Sequence, residues 1–141
     1  MRVLVDTNIF LDDLLDREQF GTEAKALFEA IQSQRIEGYV SATTVTDIFY
    51  IVRKQKGLQI AKQAVSDILD GMRVCTFDRS ILEAAISSNL PDFEDAVQLA
   101  CAVFENLDAI ITRDTQGFAG ATLPMSAGEL LQLLAENPKL D

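Results

Sequence analysis

The sequence has no histidine and no tryptophan, only two cysteines and three prolines, and aromatics at just 7% of its residues. Without histidine it lacks the commonest general base and the usual zinc ligand. Cys75 and Cys101 lie far apart with no C-x-x-C spacing, which excludes a zinc knuckle and indicates no redox pair. Both sit among apolar neighbours and read as buried free thiols. Positive charge is also scarce: 12 Lys and Arg face 22 Asp and Glu, a net charge of −10. Proteins that live on nucleic-acid phosphates usually carry a broad basic face, and none is evident here. No apolar run approaches the roughly 20 residues that a membrane helix needs. The apolar start, Val3-Leu4-Val5, is too short for a signal peptide, so an uncleaved, cytoplasmic chain is expected. Any chemistry must therefore run on carboxylates, hydroxyls, amides or a borrowed metal.

What remains is ordinary for a globular chain: 48% hydrophobic and 24% charged residues over 141 positions. That length predicts a single domain spanning residues 1–141, its core built from Leu, Ile, Val and Ala. The run 2–6 reads as a buried strand, followed by a helical segment over 9–15. Ala24, Leu27, Phe28 and Ile31 fall on one helical face. Strands are expected at 38–41, 72–77 and 109–112. Val45, Ile48, Phe49 and Val52 mark a helix ending near Gly57, and a further helix covers 59–69. Another is expected over 80–88. Asp92 follows the break at Pro91 and opens a helix with Ala96, Leu99, Ala100 and Val103 on one face. Ser126 with Glu129 is a capping-box signature for a last helix. Strands that alternate with helices and lack polar alternation indicate a parallel sheet covered on both faces. The expected fold is a three-layer α/β/α sandwich with a mostly parallel sheet of four to five strands.

In such sheets ligands bind outside the carboxyl ends of the strands, where the strand order reverses. Asp6 closes the first strand and Asp114 lies just past the fourth. Asp47 and Asp95 read as first-turn residues of helices whose N-termini reach the same rim. Converging carboxylates repel, and either protonation or a divalent cation relieves them. Oxygen-only donors suit Mg²⁺ or Mn²⁺, either of which supports attack on a phosphodiester. Each acid also has a plain structural reading. Thr44 would cap the helix of Asp47, Asp92 would cap that of Asp95, Asp6 would order its own turn, and Asp114 would sit in another. Asp12, Asp13 and Asp16 read as a solvated helix face, and Glu94 as outward-pointing. Arg53, Lys54 and Lys56 form the densest basic patch, suited to a helix C-terminus or to an RNA backbone. Arg113 would either pair with a carboxylate or reach a phosphate. Gly117-Phe118-Ala119-Gly120 lacks the Lys of a phosphate-binding P-loop.

Taken in order, V-L-V-D-T-N-I-F-L-D, Asp47, D-F-E-D-A-V-Q-L-A-C-A and I-I-T-R-D resemble the PIN-domain family, in particular its small bacterial VapC-like members. The resemblance spans Val3 to the last helix. It implies a Mg²⁺- or Mn²⁺-dependent ribonuclease whose metal-site acids would be Asp6, Asp95 and Asp114, with Asp47 completing the set. It implies Asn8 and Thr112 as residues that order the site, and Asp92 as a neighbour in the same element. It also implies a homodimer and, for many members, a toxin inhibited by a small antitoxin protein. Two positions depart from the pattern: residue 47 is commonly Glu, and Gln116-Gly117-Phe118 lacks a further acid often present there. An inactive PIN domain that binds RNA or protein is the alternative. A phosphatase is disfavoured, because D-T-N offers no second acid in the place of D-x-D.

Overall fold

Two short runs of β-branched and aliphatic residues, buried on both sides, form the centre of the computed structural model, which describes residues 1–115 and 123–138. They are β1 (Arg2–Val5) and β4 (Ala109–Ile111), paired in parallel with Val5 opposite Ile111. β2 (Glu37–Val40) lies on the other side of β1, then β3 (Arg73–Val74), while β5 (Pro124–Met125) flanks β4. All four pairings are parallel, giving a five-stranded sheet in the order β3-β2-β1-β4-β5. The strand expected over 72–77 shrinks to two residues, both exposed, because it is an edge that only β2 supports. β5 had no pattern to announce it. Its Pro124 lacks an amide hydrogen, and β4 bonds instead to the carbonyls of Leu123 and Met125, as an edge strand allows.

Among the described residues, seven helices cover the sheet: α1 (Thr7–Leu14), α2 (Gly21–Gln32), α3 (Ala42–Lys56), α4 (Leu58–Gly71), α5 (Arg79–Ile86), α6 (Phe93–Phe104) and α7 (Ala127–Glu136). Side chains of a strand alternate between faces. Val3, Val5, Ala109 and Ile111 accordingly pack against α1, α2, α3, α4 and α7. Leu4 and Ile110 pack against α5 and α6. The result is the expected sandwich. Cys75 and Cys101 are both buried free thiols in the second core. They lie together, and the hydrogen bond that Cys75 donates to Cys101, then burial, push the Cys75 thiol up.

The helix ends follow local chemistry. Asp6, Ser41, Asp78, Asp92 and Ser126 cap α1, α3, α5, α6 and α7, the last in a reciprocal capping box with Glu129. Gly57 ends α3 at φ 94°, a backbone state that suits glycine. The cap of α3 is Ser41 rather than Thr44, because the helix starts directly after β2. Asp47 therefore stands in the second turn, not the first. On α6 the buried residues are Ala96, Val97, Gln98, Cys101 and Ala102, while Val103 is exposed. Among the described residues no helix is long and apolar enough to cross a membrane.

Candidate active site on the carboxyl rim

Strand order reverses between β1 and β4, so the crevice at their carboxyl ends is the place where a ligand would bind. Asp6 sits there, its amide donating to the Ile111 carbonyl at 2.9 Å. The alternation that sends Val5 to the α1 face sends Asp6 toward α6. Its carboxylate is held by three donors. Oδ1 accepts from the Thr7 amide and from Gln98 Nε2, each at 2.7 Å, and Oδ2 accepts from Thr112 Oγ1 at 2.9 Å. Thr112 Oγ1 in turn accepts from the Asp114 amide at 3.1 Å, so one hydroxyl ties the first acid to the last. Asp6 is thus both the helix cap of the plain reading and a fixed acid at the crevice.

Gln98 escaped the sequence reading. It is 1% exposed, and its Oε1 has no hydrogen-bond partner. Burying an amide only partly satisfied costs free energy. The signal was available: a polar residue one helical turn after Asp95, in the apolar run Ala96-Val97-Gln98-Leu99-Ala100. Asn8 does not share the task. It is exposed in the first turn of α1, and none of the bonds that hold Asp6 comes from it.

The remaining acids arrive on three other segments. The Thr7 and Thr44 hydroxyls meet at 2.9 Å and pin the start of α1 to the start of α3, which carries Asp47. Asp92 caps α6 by accepting from the Asp95 amide at 3.0 Å. Asp95 itself is pushed up to about 6, first by burial and then by the charges of Asp92, Asp6 and Asp114. Glu94 is exposed, as expected, yet its carboxyl meets Asp47 at the edge of the cluster. Its carboxyl is pushed up to about 7, first by a hydrogen bond with Asp47, then by burial and by the charges of Asp47, Asp6 and Asp92. Two carboxyls that hydrogen-bond must share a proton. A residue in the first turn of a helix can face either way, and only the tertiary position of Asp47 decides for Glu94.

Among the described residues no ion pair reaches Asp6, Asp47, Glu94 or Asp95. Among the described residues no three His, Cys, Asp or Glu side chains already close around a cation. The donor set nonetheless fits a hard divalent ion: oxygen-only ligands whose mutual repulsion holds protons at unusually high pH. Asp6, Asp95 and Asp114, with Asp47 and Glu94 beside them, are the residues that would hold it.

The basic candidates lie elsewhere. Arg53, Lys54 and Lys56 occupy the last turns of α3, roughly 9–14 Å along the axis from Asp47, at the end where cations favour the helix dipole. Lys56 Nζ donates to the Leu14 carbonyl at 3.2 Å. Arg113 takes the pairing open to it in the sequence. Its Nε stands 3.3 Å from Asp12 Oδ2, and its guanidinium lies over the Phe20 ring at 4.3 Å. Asp12 is not on a solvated face; it is fully buried, with Arg17 at 3.4 Å from its other oxygen. Asp13 and Asp16 pair with Lys25 at 2.8 and 2.9 Å. The Gly117–Gly120 segment and the acid-poor stretch 116–118 fall outside the described residues.

Comparison with known proteins agrees with the fold. A family model described as PIN domain matches residues 2–116. A toxin–antitoxin complex from Klebsiella pneumoniae is 26% identical, with a TM-score of 0.67 over 89% of this chain and 97% of its own. VapC20 of Mycobacterium tuberculosis, described as a Sarcin-Ricin loop cleaving toxin, is 17% identical, with a TM-score of 0.68 over 84% and 95%. VapBC-1 of nontypeable Haemophilus influenzae is 13% identical, with a TM-score of 0.64 over 91% and 99%. No curated protein gives a match.

Proposed function

The chain belongs to the PIN-domain family, and on that footing we propose that it is a Mg²⁺- or Mn²⁺-dependent endoribonuclease that hydrolyses RNA phosphodiester bonds. One observation carries the reading. Carboxylates from four separate segments gather at the strand-order switch, where burial and neighbouring acids push Asp95 up to about 6 and a hydrogen bond with Asp47, then burial, pushes Glu94 up to about 7. Such a rim is costly for a merely structural surface and suits one that binds a divalent ion.

When bound, the divalent cation supplies activation of water and stabilisation of charge on the scissile phosphate. The protein's own part is to hold the donors. Asp6 is fixed on both oxygens before any ligand arrives, which lowers the cost of ordering it. Thr112 sets the distance between Asp6 and the backbone of Asp114. The Glu94–Asp47 pair retains a proton near neutral pH and gives it up as positive charge enters the rim. Arg53, Lys54 and Lys56 offer the RNA backbone a local positive surface on an acidic protein. We further propose a cytoplasmic, homodimeric toxin of a type II pair held in check by a small antitoxin protein; the toxin–antitoxin complex among the similar structures supports the antitoxin partner.

The test is cleavage of mixed RNA by the purified protein with Mg²⁺, with Mn²⁺ and with chelator, beside Asp6→Asn. Cleavage that needs the metal and disappears in the variant supports the reading. Undiminished cleavage in chelator, or by Asp6→Asn, contradicts it.

A further inference from the structure

The candidate acids all face α6, yet the segment that carries Asp114 is also gripped from the opposite side of the sheet. Strand alternation explains how. Ile110 and Thr112 turn toward α6, whereas Ile111 and Arg113 turn toward α1 and α2. Arg113 therefore meets Asp12, in the last turns of α1, and the ring of Phe20, the residue just before α2. Asp12 is fully buried and also takes Arg17 Nη1 at 3.4 Å. The two helices are packed tightly at this point: a Cβ on Gly21 would meet the Asp12 carbonyl at 3.2 Å. A buried carboxylate between two guanidiniums is a rigid anchor, since removing either side leaves charge without a partner. Arg113 holds the place by charge and stacking: its Nε stands 3.3 Å from Asp12 Oδ2, an oxygen that accepts no hydrogen bond, while its face lies over the ring.

We propose that Asp12 is a positioning residue for Asp114. Through Arg113 it anchors the chain just past β4, so that Thr112 and Asp114 meet Asp6 on the other face in fixed register. The proposal rests on the nuclease reading for its effect on cleavage, but the anchor itself is a property of the folded chain. Arg113 thereby serves the site from behind rather than as a phosphate contact.

The test compares Asp12→Asn, Arg113→Gln and their double variant with Arg17→Gln, which breaks the other partner of Asp12 and leaves the β4 side intact. The first readout is amide hydrogen exchange in the metal-free protein. The Asp114 amide, bonded to Thr112 Oγ1, should exchange at least about tenfold faster in Asp12→Asn and in Arg113→Gln, no faster again in the double variant, and unchanged in Arg17→Gln. The second readout is the Mn²⁺ concentration for half-maximal RNA cleavage. It should rise about tenfold in the same variants with KM for RNA little changed. Wild-type exchange at Asp114 in both Asp12→Asn and Arg113→Gln would overturn the proposal, as would equal loosening by Arg17→Gln. If Asp12→Asn does not fold, Arg113→Gln decides alone, because its side chain is partly exposed and leaves the core in place. Should the wild type fail to cut RNA with Mn²⁺, the nuclease reading falls and the exchange data still judge the anchor.

Discussion

Two groups of acids sit within one short domain and are treated oppositely by the fold. Asp12, on the α1 side of the sheet, is fully buried but has two arginines against it. Asp6, Asp47 and Asp95, on the rim, are only partly covered, Glu94 beside them is exposed, and among the described residues no ion pair reaches these four. On the rim, burial and the neighbouring acids push Asp95 up to about 6, and a hydrogen bond with Asp47, then burial, pushes Glu94 up to about 7. The first arrangement spends charge on structure, and the second leaves charge available to a ligand.

The contrast is broken most forcefully at Asp6. Asp6→Asn is expected to lower RNA cleavage by about 10³-fold or more, with far-ultraviolet circular dichroism unchanged, since it removes an anionic donor and keeps the shape. Next in size is the compensated acid. Asp12→Asn should destabilise the protein by about 3 kcal/mol in urea unfolding, because it leaves two guanidiniums facing a neutral amide. Thr112→Val strips the hydroxyl that links Asp6 to the Asp114 amide and should cost about tenfold in cleavage rate, with KM nearly constant. The smallest effect carries the opposite sign. Asp95→Asn should stabilise the metal-free protein by up to about 1 kcal/mol, solvent exposure having cut the value implied by its shifted pKa.

The same logic fixes a pH dependence. The folded carboxyls of Asp95 and Glu94 titrate near 6 and 7, above their ordinary 3.8 and 4.5. Between these limits the folded state binds more protons than the unfolded one, so stability falls as pH rises through about 4 to 7. The melting temperature of the metal-free protein should drop by a few degrees over that window, and saturating Mg²⁺ should flatten the drop.

Much of this was written in local patterns. The β-branched runs placed Asp6 and Asp114 at strand ends, and the β1–β4 pairing makes those ends neighbours. The spacing of Asp92 and Asp95 announced a helix start, and Ser126 with Glu129 another. What stayed hidden depended on partners distant in sequence. Asp12 stands beside Asp13 in an acid-rich helix, and nothing local reveals that Arg113 will arrive to bury it. Glu94 meets Asp47, and Gln98 is buried against Asp6, through partners that lie far away in the chain. Thr44 looked like a cap because it precedes Asp47 by three residues, but Ser41 reaches the helix start first. Helical phase can be read from a sequence; which polar residue on that phase meets a partner cannot.

Uptake of a divalent ion by the acidic rim is the property on which the nuclease chemistry depends. Calorimetric titration of Mn²⁺ into the metal-free protein at pH 6.5, repeated in buffers of different ionisation heat, measures both binding and proton release. Saturable binding that expels about one proton per protein, with both signals lost in Asp6→Asn, is the predicted result. Heat no greater than dilution, or binding untouched by Asp6→Asn, would contradict it.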